Sequence, residues 1–277
     1  MSQKEDFSRK SAKERKGISA EAQKLSQMLS EATHAVFFGG AGVSCESGIP
    51  DFRSADGLYH GEFEGMRPEQ ILHASYFSEH TESFYRFYRT AMLHPDARPN
   101  PAHFALARWE REGRLSAVIT QNIDGLHQMA GSRRVLELHG SVHRNRCLSC
   151  GAVRDLSFLL RCDETVPHCP LCGGRMKPDV VLYGEALPAA VFRAAEEEMS
   201  QADLVIVAGT SLTVQPAASL LTLSRPRSRW VLINLSETPA DRYADLVIRR
   251  PVGQVLAETM VHLPDSHVAA PVPDALS

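Results

Sequence analysis

Four cysteines stand in two Cys-x-x-Cys pairs, Cys147/Cys150 and Cys169/Cys172, with eighteen residues between the pairs. Thiolates at this spacing can close a tetrahedral shell around one zinc ion, and four protein sulfurs leave no open position for chemistry, so the metal would be a structural staple. Gly151 and Gly173 follow the pairs directly, where tight turns around such an ion need them, and Cys162 and His168 lie inside the same stretch as alternative ligands. A second grouping is Gly39-Gly40-Ala41-Gly42-Val43-Ser44, in which Gly40 and Gly42 would let backbone approach a pyrophosphate held by N–H groups at a helix start. The third glycine of the usual dinucleotide fingerprint is replaced by Cys45, and no acidic residue ends a second strand about twenty positions on, so a plain tight turn is an equal reading. Cys45 itself reads as a small packed side chain, since no histidine beside it in sequence would activate it.

The loop Ser47-Gly48-Ile49-Pro50-Asp51-Phe52-Arg53 combines an aromatic ring and a guanidinium and could close over a ligand. Asp124, in Gln121-Asn122-Ile123-Asp124-Gly125, either faces a ligand at the end of a strand or N-caps a helix starting at Gly125. His139, after Leu136-Glu137-Leu138, is either a buried structural histidine or a proton acceptor that works near neutral pH. Gly209-Thr210-Ser211 and Asn234-Leu235-Ser236-Glu237 each follow an apolar run, and each is either a ribose or phosphate contact or an ordinary loop.

The elements that must hold these groups are legible as apolar runs. Ala35–Phe38, Ala117–Thr120, Leu204–Ala208 and Val231–Leu235 are continuous rather than alternating, which suits strands covered on both faces. Helical stretches such as Ala102–Glu112 and Ala189–Met199 lie between them, and Ser19 caps an amphipathic helix that ends near His34. The repeated strand–helix pattern predicts an α/β fold: a Rossmann-like parallel sheet with helices on both faces, built from 18–54, 98–143 and 177–262. Two insertions, 55–97 and 144–176, are expected to form a smaller helical and zinc-ribbon domain, with 1–17 and 263–277 as tails. The chain has 277 residues, 43% hydrophobic and 23% charged, with a net charge of −3, which gives nucleic-acid binding no electrostatic support. No run approaches the roughly 18 apolar residues of a membrane span and no signal peptide stands at the start, so with cysteines in metal-type pairs a cytoplasmic protein that does not bind membranes is expected.

Taken in order, Gly40-Ala41-Gly42-Val43-Ser44, Ser47–Arg53, Thr120–His127, Leu138-His139-Gly140, the four cysteines, Tyr183-Gly184-Glu185, Gly209–Leu212 and Asn234-Leu235 resemble the sirtuin family of NAD-dependent protein-lysine deacylases, over about residues 18 to 260. The resemblance implies NAD as co-substrate, one structural zinc on Cys147, Cys150, Cys169 and Cys172, and a cleft that also admits an acyl-lysine protein or peptide. Gly40, Ala41, Gly42, Ser44, Cys45, Phe52 and Arg53 match the family's cofactor loop. Gln121, Asn122, Ile123 and Asp124 match its nicotinamide and ribose pocket, and Gly209, Thr210, Ser211, Asn234, Leu235 and Val252 its adenosine side. His139 matches the general base, with Asn122 and Asp124 as further catalytic residues. In the family mechanism the acyl oxygen attacks the nicotinamide ribose, nicotinamide leaves, and the histidine helps a ribose hydroxyl attack the imidate, giving O-acyl-ADP-ribose and free lysine.

Val181-Leu182-Tyr183-Gly184-Glu185 resembles the strand that pairs with substrate, facing Val214 and Pro216, which implies binding by strand addition. Tyr85 and Tyr88 match positions that line the acyl tunnel. A tyrosine, Tyr88, stands where succinyl-preferring relatives carry arginine, so neutral acyl groups such as acetyl are expected. The rival reading is protein mono-ADP-ribosylation by the same NAD cleavage.

Overall fold

The computed structural model describes residues 19–52, 57–224, 226 and 228–263. The predicted apolar runs become the middle of a six-stranded parallel sheet. Its strands are β1 (Ala35–Gly39), β2 (Ala117–Thr120), β3 (Val135–Glu137), β7 (Leu204–Ala208), β8 (Arg229–Ile233) and β9 (Leu246–Ile248), in the order β3-β2-β1-β7-β8-β9. A second, antiparallel sheet has the order β5-β4-β6, from β4 (Gly140–Cys147), β5 (Val153–Asp155) and β6 (Met176–Val180). This sheet runs from Gly140 to Val180, beyond 144–176 on both sides.

Burial explains why the parallel strands lack alternation. Along β1, Ala35 and Phe37 enter one apolar layer while Val36 and Phe38 enter the other, and all four are covered. The first layer is closed by the helices Ala20–Glu31, Pro101–Arg111 and Val252–His262, the second by Ala189–Gln201. Ser19 caps the first helix by accepting from the Ala22 N–H at 3.2 Å, and the helix stops at Glu31, short of the expected end at His34. The run Val231–Leu235 is also shorter as a strand: β8 ends at Ile233, and Leu235 is 69% exposed in the following loop.

The insertion before β2 folds as short helices, Pro68–Ile71, Ala74–Glu79 and Thr81–Phe87, continued by a π-turn over Tyr88–Met92. Their rings pack into a third core with Val142, Leu159, Val180 and Leu182, so the helical insertion and the second sheet share one interior. The sheet order reverses at β1/β7, which puts the loops after these two strands at the switch point where open α/β sheets bind ligands.

Candidate active site

At that switch point backbone meets backbone. The Gly42 N–H donates to the Gly209 carbonyl at 2.8 Å and the Gly40 N–H to that of Ala208 at 3.1 Å. A Cβ on Gly42 would stand 2.7 Å from Gly209 Cα, and one on Gly40 would stand 2.8 Å from Thr210 Cβ. The glycines are therefore fixed by loop-on-loop contact, and the shallow floor they leave suits a dinucleotide lying over bare backbone.

A cavity of about 1090 Å³ opens over this floor and runs between the two sheets. Gly40, Ala41, Gly42, Ser44, Cys45 and Phe52 border it from the β1 loop, and Gln121, Asn122, Ile123 and Asp124 from the β2 loop. Gly209, Thr210, Ser211, Val214, Asn234, Leu235 and Val252 border it from the far half of the sheet. His139 and the segment Val181, Leu182, Tyr183, Gly184 and Glu185 close it from the side of the small domain. Arg53 lies outside the described residues. Cys45 is exposed at its surface side, correcting the reading of it as packed, while desolvation on its inner side and the neighbouring Asp51 carboxylate push its thiol pKa up, away from nucleophilic character.

Around Asp124 the polar groups form a closed set. Ser44 Oγ donates to Asp124 Oδ2 at 2.7 Å and accepts from Asn122 Nδ2 at 3.0 Å. Asp124 Oδ1 accepts from the Leu126 N–H at 2.9 Å, just ahead of the short helix Leu126–Met129, whose N-cap is Gly125 rather than Asp124, and Oδ2 is held by Ser44. Gln121 Nε2 donates to Thr210 Oγ1 at 3.1 Å, tying the β2 and β7 loops. His139 lies between β3 and β4. Its Nδ1 is 3.0 Å from the Gln121 carbonyl, and a carbonyl only accepts, so Nδ1 carries the proton and Nε2 is the basic nitrogen. Burial lowers the His139 pKa and the carbonyl partly opposes this, so the ring is neutral at neutral pH.

Two expected pocket residues are elsewhere. Tyr85 and Tyr88 are wholly covered in the aromatic core of the small domain and do not border the cavity. Tyr85 donates to the Met176 carbonyl at 2.8 Å, while the Tyr88 ring stacks on Phe84 and its hydroxyl has no hydrogen-bond partner among the described residues. Both rings pack against Val142 and Val180 of the second sheet's strands in the third core. Ala91 and Met92, one turn on, reach the cavity, together with Leu126, Met129, Leu156 and Leu160. Sequence reasoning also passed over His143, Tyr59 and Glu46, which border the cavity without a motif of their own.

The four paired cysteines bring their sulfurs within 4.8 Å of one another. Cys147 and Cys172 are 3.5 Å apart and Cys150 and Cys169 3.7 Å, close to the edge of about 3.8 Å that a tetrahedron with Zn–S bonds of about 2.3 Å requires. Backbone N–H groups of Ser149 and Cys150 point at the Cys147 sulfur. Cys162 and His168 stand outside this group, so the donor set is four thiolates and fits one structural zinc.

A parallel sheet with a glycine floor, a neutral histidine at the junction with a cysteine-clasped second sheet, and a cleft between them define the sirtuin class. The Sir2 family pattern matches residues 40–216, and the chain belongs to that family. An NAD-dependent protein deacetylase of Clostridium acetobutylicum is 49% identical over 238 residues, covering 86% of this chain and 96% of the relative. One of Cutibacterium acnes is 53% identical over 236 residues, covering 85% and 96%. A solved Sir2 structure with a deacetylated p53 peptide and 3′-O-acetyl ADP ribose gives a TM-score of 0.81 at 37% identity, covering 87% of this chain and 98% of the other. The protein is an NAD-dependent protein deacetylase.

Proposed function

We propose that this deacetylase removes acetyl and other neutral acyl groups from protein lysines with His139 as the general base, releasing nicotinamide, O-acyl-ADP-ribose and the free amine. The observation that carries the reading is the Nδ1–H bond of His139 to Gln121, which fixes the tautomer and leaves Nε2 as the acceptor in a cavity-lining ring. Bound NAD supplies an electrophilic ribose carbon and a nicotinamide leaving group. Asn122 and Asp124, held through Ser44, are suited to orient the carboxamide and ribose, and Nε2 of His139 is suited to take the proton of a ribose hydroxyl, help typically worth about 10² to 10⁴ in rate. Gly40, Gly42 and Gly209 give the pyrophosphate bare backbone, with Ser211, Asn234, Leu235 and Val252 on the adenosine side.

Neutral acyl preference is supported by the lining rather than by Tyr88. Among the described residues the cavity is bordered by one Lys or Arg, Arg250, which is paired with Glu258 next to Val252 and so belongs to the adenosine end. A succinyl carboxylate would be desolvated against Met92, Leu156 and Leu160 with no Lys or Arg among the described residues there to receive it. Acyl-lysine peptide is placed along Val181–Glu185, where the Val181 carbonyl and the Gly184 N–H carry no internal hydrogen bond among the described residues and suit strand addition. Reduced cysteines in a zinc-type cluster fit a cytoplasmic setting, and no described helix is long and apolar enough to cross a membrane.

The test is mass spectrometry of an acetyl-lysine peptide incubated with the protein with and without NAD. Loss of the acetyl group only with NAD, with O-acetyl-ADP-ribose formed, is expected; ADP-ribose attached to protein and an unchanged peptide would overturn the reading.

A further inference from the structure

Tyr59 and Tyr183 meet across the rim of the cavity, hydroxyl to hydroxyl at 2.8 Å. The two rings come from segments with different tasks. Tyr59 is joined to the β1 loop: its N–H donates to the Phe52 carbonyl at 2.9 Å, the neighbouring Leu58 N–H donates to that of Asp51 at 2.8 Å, and its ring lies 5.1 Å from the ring of Phe52. Phe52 borders the cavity on the dinucleotide side.

Tyr183 lies in the segment placed against substrate. Its backbone has no freedom left, because its N–H donates to the Leu72 carbonyl and its carbonyl accepts from the Ala74 N–H, both at 2.9 Å. The next residue is fixed as well: Gly184 has φ +88, and a Cβ there would stand 3.1 Å from the His73 ring. The side chain is the adjustable part of Tyr183, and at 37% exposure its hydroxyl competes with water for Tyr59.

We propose that the Tyr59–Tyr183 hydrogen bond couples the two substrates, so that an acyl-lysine peptide laid along Val181–Glu185 tightens dinucleotide binding through Phe52. A peptide over this strand removes water from around the Tyr183 hydroxyl and favours its bond to Tyr59. That bond, through the backbone and ring contacts of Tyr59, holds Phe52 at the cavity wall. Linkage makes the effect reciprocal: the dinucleotide tightens the peptide by the same factor. Both tyrosines are positioning residues here, and the proposal rests on the placement of substrate along Val181–Glu185.

The experiment uses the full chain with carba-NAD, an analogue that cannot lose nicotinamide, and an acetyl-lysine peptide. Calorimetry gives the Kd of carba-NAD with and without saturating peptide for the native protein, Tyr59→Phe, Tyr183→Phe and the double variant. The native ratio of the two Kd values is expected to exceed that of either single variant by about 2- to 12-fold, the equivalent of one neutral hydrogen bond, with the double variant no lower than the singles. A purely structural role would move both Kd values together and leave the ratio unchanged. Native-like ratios in the single variants, or losses that multiply in the double variant, overturn the coupling. Native protein that binds carba-NAD but no peptide overturns the substrate placement, and the coupling with it.

Discussion

His143 on β4 is 2.9 Å through Nε2 from the main-chain oxygen of Asp124, and its ring occupies the space where a Cβ on Gly125 would stand, 2.6 Å away. A carbonyl only accepts, so Nε2 is the donor, and the second sheet braces the turn that carries the acid at the end of β2. Gly125 has φ +73, so both its conformation and its ring contact exclude a side chain. Replacing His143 by Ala is expected to lower kcat/KM for deacetylation by about 2- to 12-fold, while Gln, which can place an N–H near the same point, should restore most of it. Equal rates for the native and Ala proteins would show that the brace carries no catalytic weight.

His139→Ala should lose about 10² to 10⁴ in deacetylation and still bind ADP-ribose. The pH dependence follows from the direction of its shift. A histidine base works when neutral, and burial lowers the His139 pKa from 6.5, so with His139 in that role the acid limb of kcat/KM should have its midpoint below 6.5. A midpoint at or above 6.5 would assign the limb to another group.

Metal analysis should find one zinc per chain. Removal by a strong chelator, or Cys147→Ser, should lower Tm and abolish activity together, because the ion links β4 to the chain entering β6. A zinc-free protein with the native Tm would contradict a structural role.

Tyr88→Arg should destabilise the fold rather than recruit succinyl-lysine, since a guanidinium would be buried without a carboxylate in the third core. Tyr88→Phe should be neutral or stabilising, up to about 1–3 kcal/mol, because the hydroxyl it removes is buried and unpartnered. Chemical denaturation of the two variants checks both signs.

His103 and His127 meet in the interior with ring centroids 4.7 Å apart and planes tilted by 57°, and burial lowers their pKa values to about 4 and about 3. Above 6.5 neither the folded nor the unfolded chain binds these protons. Below it the unfolded chain takes them up first, so stability falls as pH drops from about 6.5 toward 4, by at most about 1.4 kcal/mol per pH unit for each ring. Urea titrations at pH 7 and pH 5 should show this loss, and His127→Gln should reduce it; an unchanged slope in that variant would exclude His127 as a source.

The large sheet was legible because β1, β2 and β7 bury both faces, which leaves continuous apolar runs in the sequence. β4 was not legible: Arg144, Asn145 and Arg146 make it polar, and its place is fixed by the cysteine cluster and by pairing with β6, neither of which leaves a periodicity. The loop motifs around Gly40, Asp124 and His139 were readable because their chemistry is local. Tyr85 and Tyr88 were placed at the acyl tunnel by resemblance to family positions, and a match in sequence does not show which side of the chain a core packs against; here both rings are buried in the third core. His143 and Tyr59 left no trace because their roles arise only where two distant segments touch.

Val181 donates its N–H to the His139 carbonyl at 2.9 Å, and Gly140 pairs with Val180, so the chain departs for the second sheet and comes back at a single point beside His139. An excursion whose two ends are side by side can grow, shrink or be exchanged without changing the span it must bridge. The reach and texture of the outer wall of the cleft are thus free to diverge, while His139 keeps its address at the edge of the larger sheet.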